Sequence, residues 1–383
     1  MIKETEKLYY RDAYIIEFTA RVLSVTPCDG GYDVIMDKTA FFPEEGGQSS
    51  DKGFIGTARV LHAYECDGVV HHITDSAVNA EKVNCRLDFD ERFEKMQLHS
   101  AEHILCGIFH KLYGLDNVGF HLGADEVTFD ISAPLTRQQL DLVEDEANKV
   151  VFANVPVTTM FPTRDELLKL EYRSKLDIYE NVRLVKIGDA DLCACCAPHV
   201  SASGEIGLIK MLHFEKHRGG TRIWMTAGAR ALRDYRTKYE NILRISAMLS
   251  TPNHSTAATL EKYMADTEQL KYLLKESRAK YAELYAETIT PTENNAVFYL
   301  GELSIEELRI FSNNALGKVG GILVSLGGKE CDYKYVIASS TVNLTETVKE
   351  MNAALGGRGG GKPCMVQGSF SASLEEIKKY FEK

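Results

Sequence analysis

Apolar spacing gives the first division of this chain. Over Glu91–Leu112, Phe93, Met96, Leu98, Ile104, Leu105, Ile108 and Phe109 recur at helical intervals, and Gly114 stands just past them where a helix stop belongs. From residue 8 to about 88 the runs are short instead. Asp29-Gly30-Gly31 separates ARVLSV from YDVIM, and Asp67-Gly68 separates ARVLHAYE from VVHHI, so both predict hairpins of an all-β barrel or sandwich. After Gly114 the pattern is mixed. Asp125-Glu126 punctuates two short runs, a helix is predicted over Arg137–Phe152, and strands follow around Val155–Phe161 and Val182–Ile187. Thr251-Pro252-Asn253 breaks the next helical stretch, and Ser255 is placed to cap its successor. There Leu260, Tyr263, Thr267, Leu270, Leu274, Ser277, Tyr281 and Leu284 keep 3-4 spacing; six of the eight are apolar, which predicts a coiled-coil seam within the chain or between two chains. Pro291 ends it. The remainder reads as strand, helix and two strands, then a glycine-rich loop at Gly356–Pro363 and a closing helix at Ser373–Phe381.

The expected fold class is therefore α+β, in four parts: an N-terminal β-barrel over 1–90, a mixed α/β domain over 91–237, a coiled-coil-like linker or dimerisation segment over 238–290, and a C-terminal α/β domain with its glycine-rich loop over 291–383. Composition narrows the class further. With 44% hydrophobic and 26% charged residues in 383, and no apolar run near membrane length, the chain reads as soluble. The polar N-terminus lacks a signal-like apolar stretch, and nine scattered cysteines look like reduced thiols, so a cytoplasmic location is expected. A net charge of −11 argues against nucleic-acid binding by the whole surface. One stretch runs the other way: Lys210–Arg244 carries nine Lys/Arg, Arg218 and Arg222 among them, against three acids, which suits phosphate contacts.

Candidate chemistry concentrates in two places. His99 and His103 are four apart on the predicted helix, which stacks two imidazoles on one face, and Cys193-Ala-Cys195-Cys196-Ala-Pro-His199 repeats that offset with Cys195 and His199. Two His plus a Cys-His pair form a soft N/S set that suits zinc. His110, on the same helix face, is a further ligand to consider or a residue that fills the wall, and His121 is placed to contact substrate. The loop Phe41–Gly53 contains Gly46, Gly47, Gln48 and Ser50, where backbone amides and neutral hydrogen-bonding side chains can approach a ligand; its bland reading is a hairpin loop. The glycine-rich stretch Gly356–Lys362 lacks the P-loop register because Pro363 follows Lys362, yet Arg358 and Lys362 among glycines suit phosphate or sugar.

Together HSAEH at His99–His103, CACCAPH at Cys193–His199, FFPEEGGQSSDKG and GFHLGADEVTFDI resemble the editing domain of alanyl-tRNA synthetase and its freestanding AlaX-type relatives. GGRGGGKPCMVQG at Gly356–Gly368 resembles the glycine-rich end of the synthetase's C-terminal domain. The resemblance implies that 91–237 is a zinc-dependent editing domain and 291–383 a tRNA-binding one. It also implies a trans-editing hydrolase that removes serine, and glycine as a second candidate, from tRNA(Ala), with Zn2+ held by His99, His103, Cys195 and His199. By that reading His99, His103, Gln48 and His121 are the catalytic group, and Gly46, Gly47, Gln48, Ser50, Arg218, Arg222, Arg358 and Lys362 bind substrate. A chain that begins directly at the barrel is expected not to charge tRNA. The family's C-P-C-G-G-T-H is altered here, so Cys196 competes with Cys195 as the thiolate. Four protein donors would fill a tetrahedron, so Cys195 is expected to give way or the shell to expand. Two other classes stay open: an H-x-x-E-H zinc peptidase with Glu102 as base, and a non-catalytic, zinc-stabilised tRNA-binding factor.

Overall fold

The computed structural model describes residues 4–174 and 182–382, and the chain packs as two compact units, Met1–Asn241 and Ile242–Lys383. Both are mixed α/β.

In the first unit, strands Glu17–Cys28, Gly31–Met36, Val69–Thr74, Ala58–Cys66, Gly53–Ile55 and Lys82–Leu87 hydrogen-bond in that order, and the last returns to the first, closing a ring. Its two tightest turns are those that the sequence predicts. Asp67 and Gly68 both sit at positive φ, 48° and 79°, the geometry of a two-residue turn whose twist matches the strands it joins. The ring interior is filled by Val34, Met36, Phe41, Ile55 and Val60, all fully buried.

The long helix Phe89–Tyr113, hereafter the histidine helix, extends a little beyond its predicted span and ends at Gly114, which takes the left-handed conformation (φ 64°) that glycine adopts without strain. Met96, Leu98, Leu105, Ile108 and Phe109 turn into a core shared with helix Arg137–Phe152 and a four-stranded antiparallel sheet ordered Ile209–His217, Gly220–Ala227, Val127–Ile131, Asn117–Leu122. Helix Arg137–Phe152 opens on a reciprocal Thr136/Gln139 capping box, which fixes its start at the predicted residue. Strands Val157–Met160, Leu184–Ile187 and Asp191–Ala194 form a further sheet, whose last strand delivers the cysteine cluster.

The second unit holds helix Thr256–Thr288 and a five-stranded sheet ordered Ala296–Tyr299, Leu323–Lys329, Asp332–Ala338, Met365–Phe370, Arg358–Lys362. Two sequence expectations are corrected here. Ser255 sits at the helix entrance but makes no capping hydrogen bond; Thr256 Oγ1 instead donates to the Asn253 carbonyl at 2.9 Å. The glycine-rich stretch is not a loop but an edge strand, Arg358–Lys362, paired with Met365–Phe370. Tyr335 accounts for one of its glycines: fully buried and stacked 4.2 Å from Phe370, it lies so close that a Cβ at Gly359 would collide with its hydroxyl, and one at Gly368 on the partner strand would meet its ring at 2.7 Å. Helix Leu344–Ala354 and strand Met365–Phe370, unread in the sequence, complete the unit. Among the described residues no helix is long and apolar enough to cross a membrane.

Candidate metal centre

One stripe of the histidine helix organises the site. Arg92, Lys95, His99 and His103 are spaced three, four and four apart, so they share a face, and all four are buried. The loop between ring strands runs along this stripe in the opposite direction. Arg92, 1% exposed, donates through Nε to Asp51 Oδ2 at 2.8 Å and through Nη2 to the Ala40 carbonyl at 2.6 Å. Lys95 Nζ donates to the Ser50 carbonyl at 2.7 Å, and His99 Nδ1 meets Gln48 Oε1 at 2.8 Å. Gly46 and Gly47, at φ 62° and 83°, make the turn that brings Gln48 inward; a side chain at 47 would strike the Phe120 backbone.

Strand Asp191–Ala194 brings in the second pair. Cys195 Sγ lies 3.6 Å from His99 Nε2 and 3.4 Å from His199 Nε2, and donor atoms of His99, His103, Cys195 and His199 all fall within 4.8 Å of one another. A tetrahedral zinc with bonds of about 2.3 Å to sulfur and about 2.0–2.1 Å to nitrogen would hold an N and an S about 3.5 Å apart. The donor spacing fits.

The other ring nitrogens fix the tautomers. His103 Nδ1 donates to Asp191 Oδ2 at 2.9 Å, His99 Nδ1 to Gln48 Oε1, and His199 Nδ1 pairs with Ser100 Oγ at 2.9 Å. A carboxylate or amide oxygen can only accept, so Nδ1 of His99 and His103 carries the proton and Nε2 offers a lone pair to the centre. Asp191 is itself held by Arg173 through two bonds of 2.7 and 2.9 Å. The sequence reading missed Asp191, Ser100 and Phe120, which packs 4.9 Å from His99. An acid two residues before Cys193 was the one available signal.

Electrostatics separates the cysteines. Burial raises every thiol here, yet His99, His199 and His103 overrule it at Cys195 and hold its pKa well below the ordinary range. Cys193 is pushed up to about 11 by burial, and Cys196 is raised too, by burial and then by Cys195 and Glu45. Burial likewise drives His199 down to about 3, whereas the Asp191 bond and the nearby Cys193 and Cys195 outweigh burial and raise His103. Of the three thiols, Cys195 is the one whose Sγ lies among the imidazole nitrogens.

The remaining candidates are dispersed. Ser50 Oγ faces the ring, accepting from Ala63 N at 3.1 Å and pairing with His62 at 3.2 Å. His121 is exposed on the strand beside Phe120, and successive strand residues face opposite sides, so it points away from the cluster. His110 pairs with Asp116 at the exposed helix end rather than joining the donors. Glu102 is buried and accepts from Asn117 and Cys106, with no place in the donor set. Arg222 is held in a two-bond fork by Asp130, both at 2.8 Å, and Lys210, Arg230, Arg233 and Lys238 are also ion-paired with acids. Among the described residues Lys216, Arg218, Arg236 and Arg244 make no ion pair, so the basic stretch offers far fewer free charges than its count suggests. Arg358 and Lys362 are exposed on the edge strand of the second unit.

Comparison with known proteins agrees with the motif resemblance. Residues 182–223 match the model of the threonyl and alanyl tRNA synthetase second additional domain. The chain is 28% identical to alanyl-tRNA editing protein AlaX-L of Pyrococcus horikoshii, over 97% of its own length and 96% of that protein's. It is 31% identical to the alanine–tRNA ligase of Halorubrum lacusprofundi over 96% of its length, but spans only 42% of that ligase. The C-Ala domain from Aquifex aeolicus alanyl-tRNA synthetase matches 23% of the chain at 27% identity, with a TM-score of 0.20.

Proposed function

We propose that this chain, a relative of the AlaX-type alanyl-tRNA editing proteins, is a zinc-dependent deacylase that hydrolyses mischarged tRNA(Ala), chiefly the seryl ester and secondarily the glycyl ester. One observation carries the reading: three imidazoles, each with its Nδ1 already engaged, turn their Nε2 atoms and one thiolate toward a common point. A zinc ion bound there supplies a Lewis acid and lowers the pKa of a bound water to about 7.

The chain's own groups supply the rest. Gln48 is fully buried; its Oε1 orients His99 while its Nε2 has no hydrogen-bond partner among the described residues. A buried, unpaired amide is costly unless a ligand satisfies it, so Gln48 Nε2 is the donor for a substrate oxygen, either the oxyanion forming at the ester or the serine hydroxyl. A site that hydrogen-bonds that hydroxyl disfavours alanine strongly, and glycine with it, because both leave the donor unpaired, which makes the seryl ester the chief substrate. Gly46 and Gly47 let substrate approach the loop backbone, and Phe120 closes one wall. Arg218, Arg358 and Lys362 are exposed cations that form no ion pair among the described residues, which leaves them for phosphates. The exposed seam Leu260, Leu270, Leu274, Leu284 of helix Thr256–Thr288 fits a second copy of the same helix, hence a homodimer.

Incubation of Ser-tRNA(Ala), Gly-tRNA(Ala) and Ala-tRNA(Ala) with the protein, with and without chelator, tests the proposal. Chelator-sensitive loss of the seryl ester, restored by zinc, with the alanyl ester spared, is expected. Equal persistence of all three esters refutes the enzyme and leaves a tRNA-binding factor.

A further inference from the structure

The four-stranded sheet has two faces, and the metal centre uses only one. Phe120, Phe129 and Ile223 are opposite one another across three strands and turn inward, Phe120 against His99. On the outer face a second row crosses all four strands in register: His213, Trp224, Thr128, His121. Trp224 and His213 border a groove of about 740 Å³, within the usual range of ligand sites.

The groove is polar in an ordered way. On one wall Arg230 and Arg233 share the single carboxylate of Glu94, leaving one positive charge in excess; Arg233 is largely exposed, and Arg230 Nη1 also donates to the Gly123 carbonyl at 3.0 Å. Beside them lie Asp125 and Glu126, in the turn that Gly123 opens, and Glu126 accepts from Trp224 Nε1 at 3.2 Å, which locks the indole plane. His213 leans on that plane with its centroid 5.1 Å away. Asp234, also on the wall, is paired with Lys238. A fixed aromatic plane with carboxylate acceptors and a spare cation beside it is what an unpaired base with an exocyclic amino group requires: a stacking surface, acceptors for its NH2, and a partner for its phosphate. The turn adjoins the loop that orients His99: Leu122, just before Gly123, donates its N–H to the Gly47 carbonyl at 2.8 Å, and Gln48 of that loop holds His99 Nδ1.

We propose that this outer groove holds the unpaired cytosines and adenine of an RNA 3′ end, gripping the strand just before the terminal ester reaches the metal centre. The proposal rests on the deacylase reading for its biological meaning, but its test does not. Trp224 is the chain's single tryptophan, so intrinsic tryptophan fluorescence of the whole protein reports this groove alone. Titration with the uncharged oligoribonucleotide 5′-ACCA-3′ should change that fluorescence saturably, and 5′-UUUU-3′, whose bases lack the amino group, should bind about 5-fold or more weakly. In hydrolysis, Trp224→Ala should lower kcat/KM for seryl-tRNA about 5- to 150-fold, the worth of one base–aromatic stack, while sparing the seryl ester of adenosine, and Trp224→Phe should recover most of the loss. No fluorescence response to ACCA, an equal response to UUUU, or equal loss on both esters would overturn the groove. ACCA binding without hydrolysis of any charged tRNA would uphold it and sink the deacylase instead.

Discussion

Cys195 and Cys196 are adjacent in sequence and opposite in environment. The first faces three imidazoles that stabilise its thiolate; the second is buried near Glu45 and stays protonated. Cys195→Ser should therefore abolish stoichiometric zinc, read by elemental analysis of the purified protein, whereas Cys196→Ser should retain it. Asp191→Asn keeps the shape but weakens the acceptor that orients His103, and should lower zinc affinity about 10- to 100-fold in a chelator competition. At this scale the donors themselves were legible, because two i, i+4 pairs are a local pattern. Of their orienting partners Ser100 and Asp191 were not, and Gln48 was read as a substrate contact rather than as the partner of His99; the three come from separate segments, and no spacing rule links them.

Elements show the same division between local and distant information. Hairpin turns and the capped helix Arg137–Phe152 were readable from neighbouring residues, whereas the glycine stretch was misread because the strand it pairs with, Met365–Phe370, and the Tyr335 that crowds Gly359 lie elsewhere in the sheet. The alignment of the Gln48 loop with the histidine helix depends on the Arg92–Asp51 pair, 1% and 2% exposed. Removing one partner strands a buried charge, so Arg92→Ala should cost about 3–5 kcal/mol in denaturant unfolding and loosen zinc with it. In the ring, His72 is fully buried between Thr39 and the Val34 carbonyl, and burial lowers its pKa to about 4. The fold thus favours the neutral imidazole. Its contribution is complete above the unfolded value near 6.5 and is lost as pH falls from there to about 4, roughly 3 kcal/mol in all. Urea midpoints at pH 7 and pH 4.5 should differ less in His72→Gln than in the native chain.

For the molecule as a whole, the charge count along Lys210–Arg244 overstated the phosphate footprint. Glu94, Asp130 and Glu144, remote in sequence, neutralise Arg230, Arg233, Arg222 and Lys210. Four cations of that stretch stay free among the described residues, Lys216, Arg218, Arg236 and Arg244, and Arg358 and Lys362 add two more in the second unit. Arg358→Ala or Lys362→Ala should weaken tRNA binding and reduce the slope of log affinity against log salt by about 1, leaving hydrolysis of a minimal seryl ester unchanged. Sedimentation tests the seam in turn: a dimer in the native chain should become a monomer when Leu270 and Leu274 are both changed to Glu.

The three orienting contacts around the donors also set an order of events during synthesis. A chain released only as far as residue 190 possesses His99 and His103 but neither Asp191, Cys195 nor His199, so ion capture waits for translation to pass the cysteine cluster. On the proposed zinc reading, occupancy by the ion would certify that the ring loop, the histidine helix and the later sheet have found one another, and a cell starved of zinc would accumulate chains that are complete in length yet unfinished at their centre.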